Sequence, residues 1–125
     1  MAKARIDRHS AVIEQDLPSI YAFIAQDDPA AAERVLDAVE KTFDQLARHP
    51  DSGVSYPTRN PKLQAVRMFP VTGFRDYLIF YRVDADSIRI LYLTHGARNL
   101  MRLFRRAANR ASEFDALNSQ PLVAP

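Results

Sequence analysis

The chain contains no cysteine, which removes disulfide frameworks, thiolate zinc sites and cysteine nucleophiles together. It has three glycines, with Gly73 and Gly96 isolated from one another, so no loop is available to cradle a phosphate. No G-x-S-x-G elbow of a serine hydrolase occurs. The three histidines, His9, His49 and His95, are far apart and lack carboxylate company at ligand spacing, so neither a metal site nor a cofactor is expected. No apolar stretch approaches the ~20 residues needed to cross a membrane. The basic start from Met1 to Arg5 runs into Asp7, Arg8 and His9, where a signal peptide requires an apolar run. These absences favour a cytoplasmic protein.

What is present is globular in composition, 47% hydrophobic and 26% charged over 125 residues, enough for one hydrophobic core and too little for two. A single domain over residues 1–118 with a flexible tail over 119–125 is the expectation. The net charge of +2 hides an asymmetry. Up to Thr58 there are six Lys/Arg against ten Asp/Glu, and from Arg59 onward eleven against five. The second half is therefore where an anionic partner would dock, unless its arginines only solvate strands and a helix.

Residues 5–9 are short and polar and suit an edge strand or lead-in. From Ser10, the apolar residues Ile13, Leu17, Ile20, Tyr21 and Ile24 recur at the spacing of an amphipathic helix. Pro18 interrupts it, and Asp16 is expected to cap a fresh start that carries the proline in its first turn. Asp28-Pro29 predicts a second helix, with Ala32, Val35, Leu36, Val39, Phe43 and Leu46 on one face, stopping before Pro50. The two helices form a hairpin. A loop punctuated by Pro50, Gly53, Pro57, Asn60 and Pro61 follows. Three runs rich in Val, Ile, Tyr and Phe, over 65–71, 77–83 and 87–94, predict an antiparallel meander. The middle run is bulky on both faces, so it is the central strand, covered by the hairpin on one side and, on the other, by a partner. After Gly96 the helical period returns. Leu100, Leu103, Phe104, Ala107, Ala111 and Phe114 form one stripe, and Arg102, Arg105, Arg106 and Arg110 form a basic face expected to point outward.

Several motifs, in order, resemble those of ParE-type toxins of the ParE/RelE superfamily. Asp16-Leu17…Ile20…Phe23-Ile24-Ala25 followed by Asp28-Pro29-Ala30-Ala31-Ala32 is similar to the family's opening helices. Leu46…His49-Pro50-Asp51-Ser52-Gly53 resembles its helix exit. Arg67-Met68-Phe69-Pro70-Val71 and Tyr77-Leu78-Ile79-Phe80-Tyr81-Arg82-Val83 resemble its strands, and Ile88-Arg89-Ile90-Leu91…His95-Gly96-Ala97-Arg98-Asn99 its closing segment. The resemblance covers roughly residues 10–99. It implies an α+β fold, with an N-terminal helical hairpin packed on a small antiparallel β-sheet and a C-terminal amphipathic helix. It also implies the toxin of a type II toxin–antitoxin pair, held by a ParD-like antitoxin in a hetero-oligomer. ParE-like members of the superfamily poison DNA gyrase, whereas RelE-like cousins cleave messenger RNA on the ribosome.

Ribonuclease chemistry needs a base for the 2′-hydroxyl, cations for the phosphorane and an acid for the leaving oxygen. Arg75, Arg82 and Arg98 can supply cations. RelE-like chains carry a Tyr after the closing Arg, and 99–111 contains none. His95 is the residue able to replace it, although a His before Gly more commonly shapes a turn. The sequence therefore favours inhibition by binding, with Arg67, Arg75, Arg82, Arg89 and Arg98 as donors and Tyr77 and Tyr81 as contact area. The alternatives are a ribosome-dependent endoribonuclease using His95 and Arg98, and an inert nucleic-acid-binding module suggested by the basic helix.

Overall fold

In a computed structural model of the chain, residues 3–96 and 99–118 are described. The β-branched and aromatic runs pair as the expected meander of β3 (Val66–Val71), β4 (Phe74–Val83) and β5 (Ser87–His95). Gly73, at φ 86°, makes the β3–β4 turn in a region that L side chains avoid. Two further strands widen the sheet to the order β1-β5-β4-β3-β2. The N-terminal strand β1 (Arg5–Arg8) lies parallel to β5, with Arg5 beside Ser87 and Arg8 beside Ile90. The two-residue β2 (Val54–Ser55) pairs antiparallel with β3, within the stretch that reads as a plain loop.

The first helical segment differs in phase from the sequence reading. Asp16 does not cap a new start: its backbone is helical (φ −67°, ψ −53°) and its side chain makes no cap bond. Val12–Asp16 instead forms a π-helical turn, in which Leu17 N–H reaches back to the Val12 carbonyl, and runs straight into α1 (Leu17–Ala25). The wider turn accommodates Pro18, which has no N–H to give to the preceding turn. It also rotates the face, so Val12 and Asp16 point inward while Ile13 is 53% exposed.

Helix α2 (Pro29–Arg48) follows the sequence closely. Asp28 Oδ1 accepts from Ala31 N at 3.1 Å, and the helix ends ahead of Pro50. Its stripe of Ala32, Val35, Val39, Phe43 and Leu46 packs with Val12 and Ile20 against Ile79, Tyr81, Ile88, Ile90 and Leu93. On the opposite face of the sheet, the one-turn α3 (Pro61–Gln64) and α4 (Leu100–Asn118) bring Leu63, Phe104, Ala107, Ala108 and Ala111 against Val66, Leu78, Phe80, Leu91 and Tyr92. The expected need for a partner to cover the second face of β4 is thereby corrected, because the chain's own terminal helix covers it.

Tyr81 is fully buried. Its hydroxyl donates to the Pro50 carbonyl at 2.6 Å and accepts from Gly53 N at 2.8 Å. Burial pushes this phenol upward from its ordinary pKa, opposed by the Gly53 amide. A Cβ at position 53 would lie 2.6 Å from the hydroxyl, so glycine is required there by close approach.

Candidate partner-binding surface

The arginines singled out on the sheet divide by what already holds them. Arg82 makes a bidentate contact to Asp115 on α4, at 2.9 and 2.7 Å, and its Nε donates to Asp84 at 3.2 Å. Arg89 pairs with the same Asp84, and its guanidinium lies 4.4 Å from the Phe114 ring centroid. Arg67 donates to the Gly53 carbonyl at 3.0 Å and lies 3.5 Å from the Asp51 carboxylate. These three brace the loop and the end of α4. Arg75 is exposed, with no hydrogen bond or ion pair among the described residues. Arg98 lies outside the described residues. Tyr81 offers no contact area, since its side chain and hydroxyl are both committed inside.

The Arg82 hydrogen bond holds Asp115 below its ordinary value of 3.8, and the same contact raises Arg82. A depressed carboxylate stabilises the fold above its unfolded pKa and stops doing so as pH falls through the lowered folded value. Thermal midpoints measured from pH ~5 down to ~2 should therefore fall more steeply in the wild type than in Asp115→Asn. The difference should be small, because the Asp115 side chain is 57% exposed and water screens the pair.

On α4, Arg102, Arg105 and Arg106 face solvent as expected. Arg110 does not: it is 7% exposed and turned inward. Its Nη1 and Nη2 donate to Asp16 at 2.5 and 3.1 Å, and Nη1 also donates to the Leu91 carbonyl at 3.0 Å. Asp16 Oδ2 in turn accepts from Leu93 N at 3.0 Å. These contacts serve an irregular strand. The β4–β5 register shifts between Phe80–Tyr92 and Tyr81–Ile90, which makes Leu91 an extra, bulged residue. The sequence carried one signal for this pair: Arg110 falls three residues after Ala107 and one before Ala111, inside the apolar stripe.

His95, at the end of β5, is exposed, and its ring centroid lies 4.9 Å from Tyr77 and 6.1 Å from Phe23. The turn after it is made by the backbone: Gly96, at φ 85°, donates its N–H to the Asp76 carbonyl at 2.7 Å. Burial raises the Tyr77 phenol, with a further push from Asp76. Phe23, which the sequence reading used only as a motif residue, is 63% exposed. Between α1, the end of β5 and α4 lies a cleft of about 370 Å³ bordered by Ser19, Ile20, Phe23, Tyr92, His95 and Arg106. The Arg106 guanidinium sits 5.3 Å from the Tyr92 ring centroid.

Among the described residues no three His, Asp or Glu converge as a metal would require, and no helix is long and apolar enough to cross a membrane. Fold and surface together define a small α+β protein whose conspicuous chemistry is a set of arginines and aromatic rings at the surface. A family model described as "ParE toxin of type II toxin-antitoxin system, parDE" matches residues 9–100, and the chain belongs to that family. Among solved structures, it is similar to a chain of "Chromosomal ParDE TA system from P. aeruginosa", with a TM-score of 0.59 and 18% identity, covering 75% of this chain and 97% of that one. That likeness is one of fold. No curated protein matches significantly.

Proposed function

We propose that this protein is the toxin of a type II toxin–antitoxin pair, inhibits growth by binding DNA gyrase, and is neutralised by a ParD-like antitoxin in a hetero-oligomer. The observation that carries this reading is the family match across residues 9–100, joined by the solved ParDE system that shares the fold. The arginine geometry favours binding over phosphate chemistry. Arg82 and Arg67 are tied to carboxylates and backbone, whereas Arg75, Arg102, Arg105 and Arg106 face outward. Cations that stabilise a phosphorane must be aimed at the position where charge develops. Outward-facing arginines instead suit a protein or phosphate surface.

The ribosome-dependent ribonuclease remains a second reading because of one contact, the exposed His95 ring 4.9 Å from Tyr77 beside a cleft. His95→Ala separates the two. Removing a general acid or base should cost ~100- to 10,000-fold in rate, whereas a binding inhibitor should keep most of its toxicity. The expected result is that folded His95→Ala still arrests growth and that co-expression of a cognate ParD-like antitoxin relieves the arrest. Purified wild type should reduce gyrase supercoiling and leave ribosome-bound messages whole. Message cleavage that vanishes in His95→Ala would replace this reading with the ribonuclease.

A further inference from the structure

The sheet separates two layers of opposite charge. Residues 10–48, which supply α1 and α2 and cover one face, carry eight Asp/Glu against three Lys/Arg. The other face is covered by α3 and α4, and α3 with most of α4 lies in two stretches, 56–75 and 87–112, that contain no Asp or Glu. Tyr56 and Leu63, on either side of Arg59 and Lys62, both pack into that layer. Arg59, Lys62, Arg102, Arg105 and Arg106 are exposed, and none lies within ion-pair distance of a carboxylate among the described residues. Arg105 meets the Met101 sulfur at 3.6 Å and Arg106 the Tyr92 ring, contacts that leave both charges uncompensated. The carboxylates of α4 begin at Glu113, and Glu113 and Asp115 are engaged by His9 and Arg82.

We propose that the α4 layer binds the phosphate backbone of double-stranded DNA, with Arg102, Arg105 and Arg106 at its centre and Lys62 at its flank, through charge and without base recognition. Three observations select that partner. Side chains three and four positions apart on a helix are neighbours, with Cβ atoms ~5–6 Å apart, so the three guanidinium groups form one dense patch. A duplex that carries a charge every ~1.7 Å of its axis can meet all of them at once. The layer also offers no exposed aromatic ring among the described residues: Phe104 is buried, Tyr92 is 8% exposed, and Tyr56 and Phe114 are half-buried beneath Phe104 and Arg89. Single-stranded RNA is held by stacking its bases on such rings, and protein interfaces centre on aromatic anchors, so neither finds its hold here. Finally, the acidic layer on the opposite face repels the same polyanion and turns the α4 layer toward it during approach. Phosphate contacts of this kind position a protein and carry no sequence information. The inference goes beyond the proposed function, since it concerns the protein alone and holds whichever host machine is inhibited.

The test is fluorescence polarisation of the purified full-length protein with a short labelled DNA duplex of mixed sequence. Between ~50 and ~200 mM salt, the logarithm of the association constant should fall linearly with that of the salt concentration, with a slope of about −3. Arg102→Gln combined with Arg105→Gln should bring the slope to about −1 and weaken low-salt binding about tenfold or more. Lys41→Glu, exposed on α2 in the acidic layer, should stay within about threefold, because the sheet holds it beyond the reach of screened charge. A duplex of unrelated sequence should likewise bind within about threefold of the first. The wild-type salt slope needs no variant, so a misfolded substitution does not spoil the test. The proposal is overturned if the wild type shows no salt-dependent duplex binding, or if binding by the folded double variant equals that of the wild type. It is equally overturned if oligouridine or polyglutamate of matched charge binds more tightly than the duplex, outcomes that assign the face to RNA or to an acidic protein.

Discussion

Arg110→Ala should lower folding stability by about 3–5 kcal/mol, the range for removing one partner of a buried ion pair. The large cost comes from what is left behind: a buried Asp16 carboxylate, 8% exposed, without its counter-charge, and a bulged Leu91 carbonyl without its donor. Urea midpoints with an unchanged slope would report it directly. An Asp16→Leu, Arg110→Met double variant should recover a large part of the loss, because replacing both partners removes the stranded charge. Recovery should remain incomplete, since Leu93 N–H would still lack its acceptor. An Arg110→Ala variant as stable as the wild type would mean that the pair contributes nothing to the fold.

Phe104→Ala is expected to cost a similar ~3–5 kcal/mol. Among the described residues of α4, Phe104 is the large apolar side chain that is fully buried; Ala107, Ala108 and Ala111 contribute little area each. Its ring lies edge-on to Phe80 at 5.0 Å and 5.3 Å from Tyr56, so the cavity left would open between the helix and the sheet. Amide hydrogen exchange should show α4 losing protection before α2. If both helices lose protection together, α4 is not a separable layer.

The parts of this fold that were legible in the sequence are those whose causes are local. Helix α2 announces itself by an Asp28-Pro29 start, a continuous apolar stripe and a proline stop, and the meander by bulky β-branched runs separated by short turns. What was not legible depends on partners distant in the chain. The two residues of β2 have no propensity signal and are a strand only because β3 lies beside them. The π-helical turn shifts the phase of the first helix, so period-based reading placed Ile13 inside, overlooked Val12 and gave Asp16 a capping role in place of its inward one. The same limit applied to the surface. Arg75, Arg102, Arg105 and Arg106 were readable as outward cations because no carboxylate holds them among the described residues; Arg105 meets the Met101 sulfur and Arg106 the Tyr92 ring. Arg67, Arg89 and Arg110 were claimed by Asp51, Asp84 and Asp16, and Arg82 by Asp115 as well as by its near neighbour Asp84; apart from that short-range pair, these are pairings that only the folded chain creates. Part of the charge asymmetry is thus neutralised within the molecule, where the acidic half meets the basic half at Asp16 and Arg110.

Strand β1 has a consequence for the order of events during synthesis. Arg5 must wait for Ser87, and Asp16 waits for an arginine 94 positions further along. A ribosome that has released only the helical hairpin has therefore exposed apolar faces of α1 and α2 with no sheet to receive them. Closure over such long chain separations costs entropy before any contact repays it. Helix α4 and its buried Arg110 leave the exit tunnel after the hairpin and the sheet that they pack against. A nascent chain stalled before residue 110 should therefore lack the Arg110 contacts to Asp16 and Leu91, and should be cut by protease more readily than the released chain.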